Sequence, residues 1–252
     1  MERLHGGSFC PVCGRPVDDA LYEKYGCLDP RMREELADDE NADPELLVAL
    51  TMDADPHISQ MAKRNPSLPS SFLSSLEYDE VFHVGLLSHP KVPEATLRRY
   101  AVHEDHWLRG SVANNPSAPK DLLRTLAQDE NRYVRGNVGA NPSTPEDVLT
   151  ALAHDEKMDV REYLCYNTSL SEALFRELAC DRRVFVRRGI ALNNYAPADV
   201  LVKLARDSQR RVRHNVLTNP AAHNTALEIL AKDRAEEIAS LAARILAIRR
   251  AD

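Results

Sequence analysis

The sequence predicts an all-α protein, a helical solenoid of about eight repeats with a period of 26 residues, one copy having 24. Three observations predict this fold: apolar positions recur in one register, prolines (15) outnumber glycines (9), and aromatic residues make up only 6% of the chain. The last two are unusual for a sheet protein and typical of many short helices with marked ends. Short helices are marginal in water by themselves, so the stacking of successive repeats must stabilise them.

Each copy of the repeat contains two short apolar-faced helices. Two apolar columns three residues apart run through the copies and end at Leu227 and Leu230, and this i, i+3 spacing is one face of a first helix. A third apolar column, from Ile58 to Ile238, marks a second helix. The copies begin near Asp39, Asn65, His89, Asn115, Asn141, Asn167, Asn193 and Asn219.

Asparagine and proline mark the joints between helices. Asn-Pro or His-Pro opens five of the copies, for example at Asn141-Pro142. The asparagine side chain can cap unpaired backbone amides, and proline fits the first turn of a helix. A second proline follows in most copies, and Pro145 with the acids Glu146 and Asp147 after it predicts the start of the next helix.

An acid–base motif recurs in four successive copies, with an aspartate six residues before an arginine. The pairs are Asp129 with Arg135, Asp155 with Arg161, Asp181 with Arg187, and Asp207 with Arg213. A catalytic pair would be needed once, whereas a structural brace is needed in every copy. The recurrence therefore predicts a ladder that holds one repeat against the next.

Two copies carry a family resemblance most clearly: NPSAPKDLLRTLAQDENRYVRGNVGA (115–140) and NPSTPEDVLTALAHDEKMDVREYLCY (141–166). They resemble the leucine-rich repeat variant (LRV) proteins, and the resemblance covers roughly residues 39–244. It implies a right-handed superhelix of alternating α- and 3₁₀-helices without a sheet. The Asp-x(4)-Val-Arg pattern is also similar to HEAT repeats, the nearest alternative architecture. Residues 39–252 are therefore predicted to form the solenoid.

Residues 1–38 are predicted to be a small N-terminal cap that binds a metal ion. Cys10, Cys13 and Cys27 supply three thiolates, and His5 is the nearest candidate for a fourth ligand of a Cys₃His zinc site. A segment with so few apolar residues would need such a staple to fold. Some members of the resembled family carry a four-cysteine [4Fe-4S] module before the repeats. An iron–sulfur cluster and a metal-free cap therefore remain alternatives to zinc.

The charge is unevenly distributed along the chain. Residues 1–64 hold 14 acids against 7 bases, whereas residues 181–213 hold nine arginines and lysines against three aspartates. Within that basic stretch, the pairs Arg182-Arg183 and Arg210-Arg211 are predicted to occupy equivalent loops of neighbouring copies and to form one partner-binding patch. Few aromatic residues accompany it, which favours an acidic protein surface over a nucleic acid as its partner.

The sequence as a whole predicts a non-enzymatic scaffold for protein–protein interaction. It contains no nucleotide-binding, serine-hydrolase or zinc-hydrolase motif and no apolar run long enough to cross a membrane. The N-terminus lacks the apolar run of a signal peptide, which predicts a cytoplasmic protein with reduced thiols. An iron–sulfur redox or sensing protein, and nucleic-acid binding through residues 181–213, are the alternatives.

Overall fold

A computed structural model describes residues 29–74 and 83–251, and the regular structure in these ranges is helical, without a strand. The α-helices are α1 (Pro30–Asp38), α2 (Pro44–Leu50), α3 (Pro56–Arg64), α4 (Ser70–Ser74), α5 (His83–Leu87), α6 (Glu94–Tyr100), α7 (His106–Ala113), α8 (Lys120–Leu126), α9 (Arg132–Ala140), α10 (Glu146–Ala153), α11 (Met158–Tyr163), α12 (Glu172–Leu178), α13 (Val184–Leu192), α14 (Ala198–Leu204), α15 (Arg210–Thr218), α16 (Asn224–Leu230) and α17 (Glu236–Ala251). From α2 onward they form helix pairs, one pair in each predicted copy. The prediction of an all-α repeat fold is confirmed.

The helices begin at the kinds of residue that the sequence predicts. In several copies the first helix begins directly after a proline, and Pro119, Pro145 and Pro197 are the N-cap residues of α8, α10 and α14. Ser171 and His223 take this position before α12 and α16. Second helices begin after a residue such as Asp105 or Asn131, whose side chain accepts a hydrogen bond from the backbone N–H two residues later. These side chains pair amides that the first turn of a helix leaves without a partner.

The helix types differ from what the family resemblance implies. Within the ranges that the structure covers, both helices of each pair are α-helices, and one 3₁₀-helix, Leu164–Tyr166, directly follows α11. The second helices of most later copies have eight or nine residues, as in α9 and α13. That length allows several successive i→i−4 hydrogen bonds, which favour the α-helix over the tighter 3₁₀ form.

The chain divides into two compact units, residues 1–96 and residues 97–252. In the first, the N-terminal unit, α1 packs against α2 and α3 around Ala37, Leu50 and Ile58. Asn65 donates to the backbone carbonyls of Ala37 and Asp39 at 3.0 and 2.9 Å. Helix α1 therefore makes the contacts of a second helix from a preceding copy. It lies within the predicted cap, and the boundary after residue 38 stays a prediction.

In the second, the C-terminal unit, successive second helices pack on one another, as do the helices of each pair. The predicted apolar columns are buried there. Those of the first helices are represented by Leu123, Leu149, Phe175, Leu201 and Leu227, and those of the second helices by Val134, Val160, Val186, Val212 and Ile238.

A buried asparagine clamps each copy of the C-terminal unit from the fifth onward to the copy before it. Asn193 is 8% exposed, and its side-chain amide donates to the carbonyls of Cys165 and Asn167 at 2.8 and 3.1 Å. Its side-chain oxygen accepts from the N–H of Tyr195 at 2.8 Å. Four asparagines donate in this way to the backbone carbonyls 28 and 26 residues earlier: Asn141, Asn167, Asn193 and Asn219.

The arginine–aspartate ladder braces the copies, as predicted. Arg161 is 4% exposed, binds both carboxylate oxygens of Asp181 at 2.6 and 3.2 Å, and donates to the carbonyl of Asp155 at 2.8 Å. The aspartate that it binds belongs to the next copy, twenty residues later. The five pairs described in the C-terminal unit are Arg109 with Asp129, Arg135 with Asp155, Arg161 with Asp181, Arg187 with Asp207, and Arg213 with Asp233. Arg33 and Asp53 form a pair of the same separation in the N-terminal unit.

Candidate protein-binding surface

A row of aromatic side chains lies on the outward side of three second helices, α7, α9 and α11. Trp107 and Tyr133 have ring centroids 4.5 Å apart, Tyr133 and Tyr163 are 6.4 Å apart, and Tyr163 and Tyr166 are 6.3 Å apart. Trp107 is 49% exposed and Tyr166 is 70% exposed, whereas the two tyrosines between them are half-buried. We call these four residues the aromatic row.

The repeat register explains how the row forms. Trp107 and Tyr133 occupy the same position in successive copies, 26 residues apart. Gly110 and Gly136 let the next rings lie close, because a Cβ on Gly110 would stand 2.5 Å from Tyr133 Cε1 and one on Gly136 would stand 2.9 Å from Tyr163 Cγ. Each tyrosine ring therefore rests directly on the helix of the preceding copy.

An open groove of about 610 Å³ lies beside the row. It is lined by Arg132, Tyr133, Asp159, Glu162, Tyr163 and Tyr166. The Arg132 guanidinium binds the Asp159 carboxylate at 3.1 Å. Burial, and then the neighbouring phenols and carboxylates, raise the pKa of Tyr163 above its ordinary value. The groove thus combines aromatic walls with two carboxylates, of Asp159 and Glu162.

The structure places the four arginines of the predicted patch on the surface, in two different settings. Arg182 and Arg183 are exposed and precede α13. Arg210 and Arg211 are also exposed, but they are the first two residues of α15. The prediction that both pairs occupy equivalent loops is therefore wrong, because the two-residue shift in register moves the second pair into the helix.

Fewer side chains of the basic stretch, residues 181–213, are available to a partner than its charge indicates, because several already form ion pairs within the protein. Arg187 and Arg213 belong to the ladder, and Arg210 forms an ion pair with Glu237. The Arg188 guanidinium lies 5.6 Å from the centre of the Phe185 ring. Among the described ion pairs, none involves Arg182, Arg183, Arg206 or Arg211.

The predicted metal ligands His5, Cys10, Cys13 and Cys27 lie outside the described residues. Within residues 29–74 and 83–251, no group of three or more histidine, cysteine or acidic side chains could hold a metal ion. Over the same residues, no helix is long and apolar enough to cross a membrane.

The two described cysteines differ in setting. Cys165 is buried, and burial, with the nearby acids Glu162 and Asp181, raises the pKa of its thiol to about 12. The thiol is therefore a packed side chain of low reactivity, as its column of small and apolar residues predicts. Cys180 is exposed and contacts the amine of Lys203.

The aromatic row is the surface feature that reading the sequence missed. A comparison of the outward column of the second helices would have indicated it, since Trp107 and Tyr133 are followed there by Asp159, Phe185 and Arg211. The same comparison would not have indicated that Tyr163 and Tyr166 join the row, because both stand at other positions of the repeat.

The helix pairs and the outward surface define a helical repeat protein with an exposed aromatic row. A comparison with solved structures finds a protein described as "a leucine-rich repeat variant with a novel repetitive protein structural motif". The match has 25% sequence identity and a TM-score of 0.49, and it covers 79% of this chain and 80% of the other. This is the family that the sequence resembles, and the fold assignment itself rests on the helices described above. No family model and no curated protein matches the chain.

Proposed function

We propose that the protein is a non-enzymatic scaffold that binds a protein partner through the aromatic row of its C-terminal unit. The observation that carries the proposal is a continuous row of four aromatic rings on a surface where Trp107 and Tyr166 are about half or more exposed. Large aromatic side chains dominate the binding energy of protein interfaces, and contiguous exposed patches of them mark such interfaces.

The polar motifs support a scaffold rather than an enzyme. The aspartates and arginines that recur through the copies bind each other, as Arg135 binds Asp155. The asparagines bind backbone carbonyls, as Asn167 does. These groups hold the repeats together, and the outward side chains remain as the surface that a partner can contact.

Two further parts of the proposal concern charge and metal. The exposed Arg182, Arg183 and Arg211 would extend the interface toward an acidic partner surface, with Arg210 shared with Glu237. A zinc ion held by Cys10, Cys13, Cys27 and His5 would staple a cap on this cytoplasmic scaffold. Metal analysis of the purified protein tests the staple, and a visible chromophore with stoichiometric iron would favour the iron–sulfur alternative.

Replacing the two most exposed residues of the aromatic row by alanine tests whether the row binds the partner. We expect Trp107→Ala with Tyr166→Ala to reduce capture of the partner at least tenfold in quantitative pull-downs, because two anchoring rings are lost. The matched control is Tyr195→Ala, which removes an aromatic ring that is 63% exposed and lies outside the row. Helicity and melting temperature of all variants should equal those of the wild type.

The opposite pattern would refute the proposal: full capture by the double variant, or equal loss in the Tyr195 control. A second arm reverses Arg182, Arg183, Arg210 and Arg211 to glutamate and should weaken capture of an acidic partner. Salt-sensitive, sub-micromolar binding of the wild type to random DNA or RNA, lost on this reversal, would instead favour the nucleic-acid alternative.

A further inference from the structure

We propose that the groove beside the aromatic row binds an alkylammonium group, presented as a lysine side chain of the partner protein. The inference deepens the proposed function and rests on it for the presence of a protein partner. Three features of the groove carry it: the mutual orientation of its rings, its charge, and the shape of the space between them.

The three tyrosine rings stand as walls around an open space. The rings of Tyr133 and Tyr163 meet at 85°, and those of Tyr163 and Tyr166 meet at 79°. In such an edge-to-face pair the edge of one ring covers only part of its neighbour, and Tyr166, which is 70% exposed, leaves most of its ring open to a third group. The face of an aromatic ring carries negative potential and attracts a cation within about 6 Å of its centre.

The charge of the groove also favours a cation. Asp159, Glu162, Tyr163 and Tyr166 follow the i, i+3, i+4, i+7 spacing and so share one side of α11 and the 3₁₀ turn after it. Asp159 is bound by Arg132, and no described ion pair involves Glu162. The lining holds two carboxylates and one guanidinium, so its formal charge is −1. A bound cation would neutralise this charge by pairing with the Glu162 carboxylate.

The arrangement suits an ammonium group better than a guanidinium. A planar guanidinium binds best by stacking parallel to a single ring or by a two-pronged contact with a carboxylate. The compact head group of lysine, bare or methylated, can instead contact several differently oriented rings at once. Its flexible stem of four carbons can reach into a groove from a partner backbone outside it.

The test uses the full chain and lysine probes read out by its own fluorescence. Trp107 is the one tryptophan in the sequence, and its ring lies 4.5 Å from that of Tyr133. The probes are blocked lysine amide, its Nζ-trimethyl form, and the neutral isostere in which carbon replaces the trimethylated nitrogen. We expect saturable quenching by both cations and at least fivefold weaker binding of the neutral isostere.

Variants locate the response in the groove. Tyr166→Ala removes an exposed wall and Glu162→Gln removes charge while keeping shape, and each should weaken lysine binding about two- to fivefold or more. Their matched controls are Tyr195→Ala and Glu130→Gln, both exposed side chains that do not line the groove. The controls should bind both cationic probes as the wild type does.

Three outcomes would overturn the inference: no saturable response to either cation, equal binding of the neutral isostere, or an unchanged affinity in the Tyr166 variant. Tighter binding of free choline or blocked arginine amide than of any lysine probe would likewise overturn the assignment to a partner lysine. The scaffold proposal fails separately. If the Trp107 and Tyr166 double variant loses capture but the wild type binds no lysine probe, the scaffold proposal holds and the lysine site is refuted. If the wild type binds the lysine probes but the double variant captures the partner fully, the scaffold surface is refuted.

Discussion

In the fifth to eighth copies, one buried asparagine uses every polar atom of its side chain, and its amide nitrogen connects it to earlier copies. In Asn193 the amide nitrogen faces the carbonyl oxygens of Cys165, near the end of the fifth copy, and of Asn167, at the start of the sixth. The side-chain oxygen faces the N–H of Tyr195. Aspartate has the same shape but would place an acceptor opposite two acceptors. In a buried site, such an uncompensated polar group costs more free energy than the lost hydrogen bonds alone.

We therefore expect Asn193→Asp to lower the free energy of unfolding by ~3 kcal/mol at pH 7, measured by urea denaturation. The adjacent residue provides the control, because Asn194 is exposed and makes no described contact with the preceding copy. Asn194→Asp should change the stability by less than ~0.5 kcal/mol. Similar losses in both variants would mean that the clamp contributes little.

The asparagines were partly predictable from the sequence. Capping of the amide two residues later follows from local chemistry, as in Asn141 and Ser143. The donation to carbonyls 26 and 28 residues earlier did not follow, because the sequence does not specify which backbone lies behind the side chain. His89 shows the substitution that the site accepts, with its ring nitrogen 3.0 Å from the carbonyl oxygen of Asn65.

At the scale of the helices, two ladders of ion pairs join successive copies, and they differ in burial. In the buried ladder, the side chains of Arg161 and Asp181 are 5% and 9% exposed. The second ladder joins first helices at a separation of 23 residues, and in its pair Arg124 with Asp147 the side chains are 48% and 66% exposed. Its other described pairs are Arg98 with Asp121 and Arg176 with Asp199.

This difference in burial predicts that the same arginine-to-alanine substitution lowers the stability more in the buried ladder than in the exposed one. Arg161→Ala should cost ~3 kcal/mol of stability, because it leaves the Asp181 carboxylate buried without its partner. Arg124→Ala should cost less than ~1 kcal/mol, because water solvates both members of the exposed pair. Chemical denaturation of both variants gives the comparison. Equal losses would place the stabilisation in the contacts of the arginine stem rather than in the buried charge pair.

The ladder was predictable where a copy carries both halves of the motif and not at its ends. Arg109 belongs to it, yet His103 stands six residues earlier in place of aspartate. Asp233 also belongs to it, although Ala239 follows in place of arginine. Because each ion pair joins two copies, an end member needs only half of the motif. The aromatic row escaped prediction for a related reason, since it combines side chains from different columns of different copies.

At the scale of the whole molecule, the ladder couples stability to pH. Burial would raise the pKa of Asp181, but hydrogen bonds from Arg161 and from the N–H of Arg183, with the charge of Arg161, lower it below its ordinary value. The pKa of Asp233 is lowered by its hydrogen bond from Arg213, which outweighs burial. The same direction holds for Asp129, Asp155 and Asp207.

A carboxylate whose pKa is lower in the folded state stabilises that state fully above its unfolded pKa of about 3.9. That stabilisation is lost as the pH falls through the folded pKa. We therefore expect the protein to keep its stability down to about pH 5 and to lose it steeply below about pH 4. Asp181→Asn should be less stable than the wild type at pH 7, with a smaller difference at pH 3, in urea titrations followed by circular dichroism. An equal difference at both pH values would contradict the coupling.

The asparagine clamp gives the array a polarity. A copy supplies the side chain of its clamp, and the chain before it supplies only backbone carbonyls, as Cys165 and Asn167 do for Asn193. During synthesis, each new asparagine thus leaves the ribosome when its acceptors are already in place, so the array can lengthen one copy at a time without waiting for later sequence. Losing a copy from the C-terminal end removes a donor and exposes two carbonyls to water, whereas losing copies from the other end removes the acceptors and exposes an amide. The two ends of such an array therefore differ in chemistry, since one presents hydrogen-bond acceptors and the other a hydrogen-bond donor.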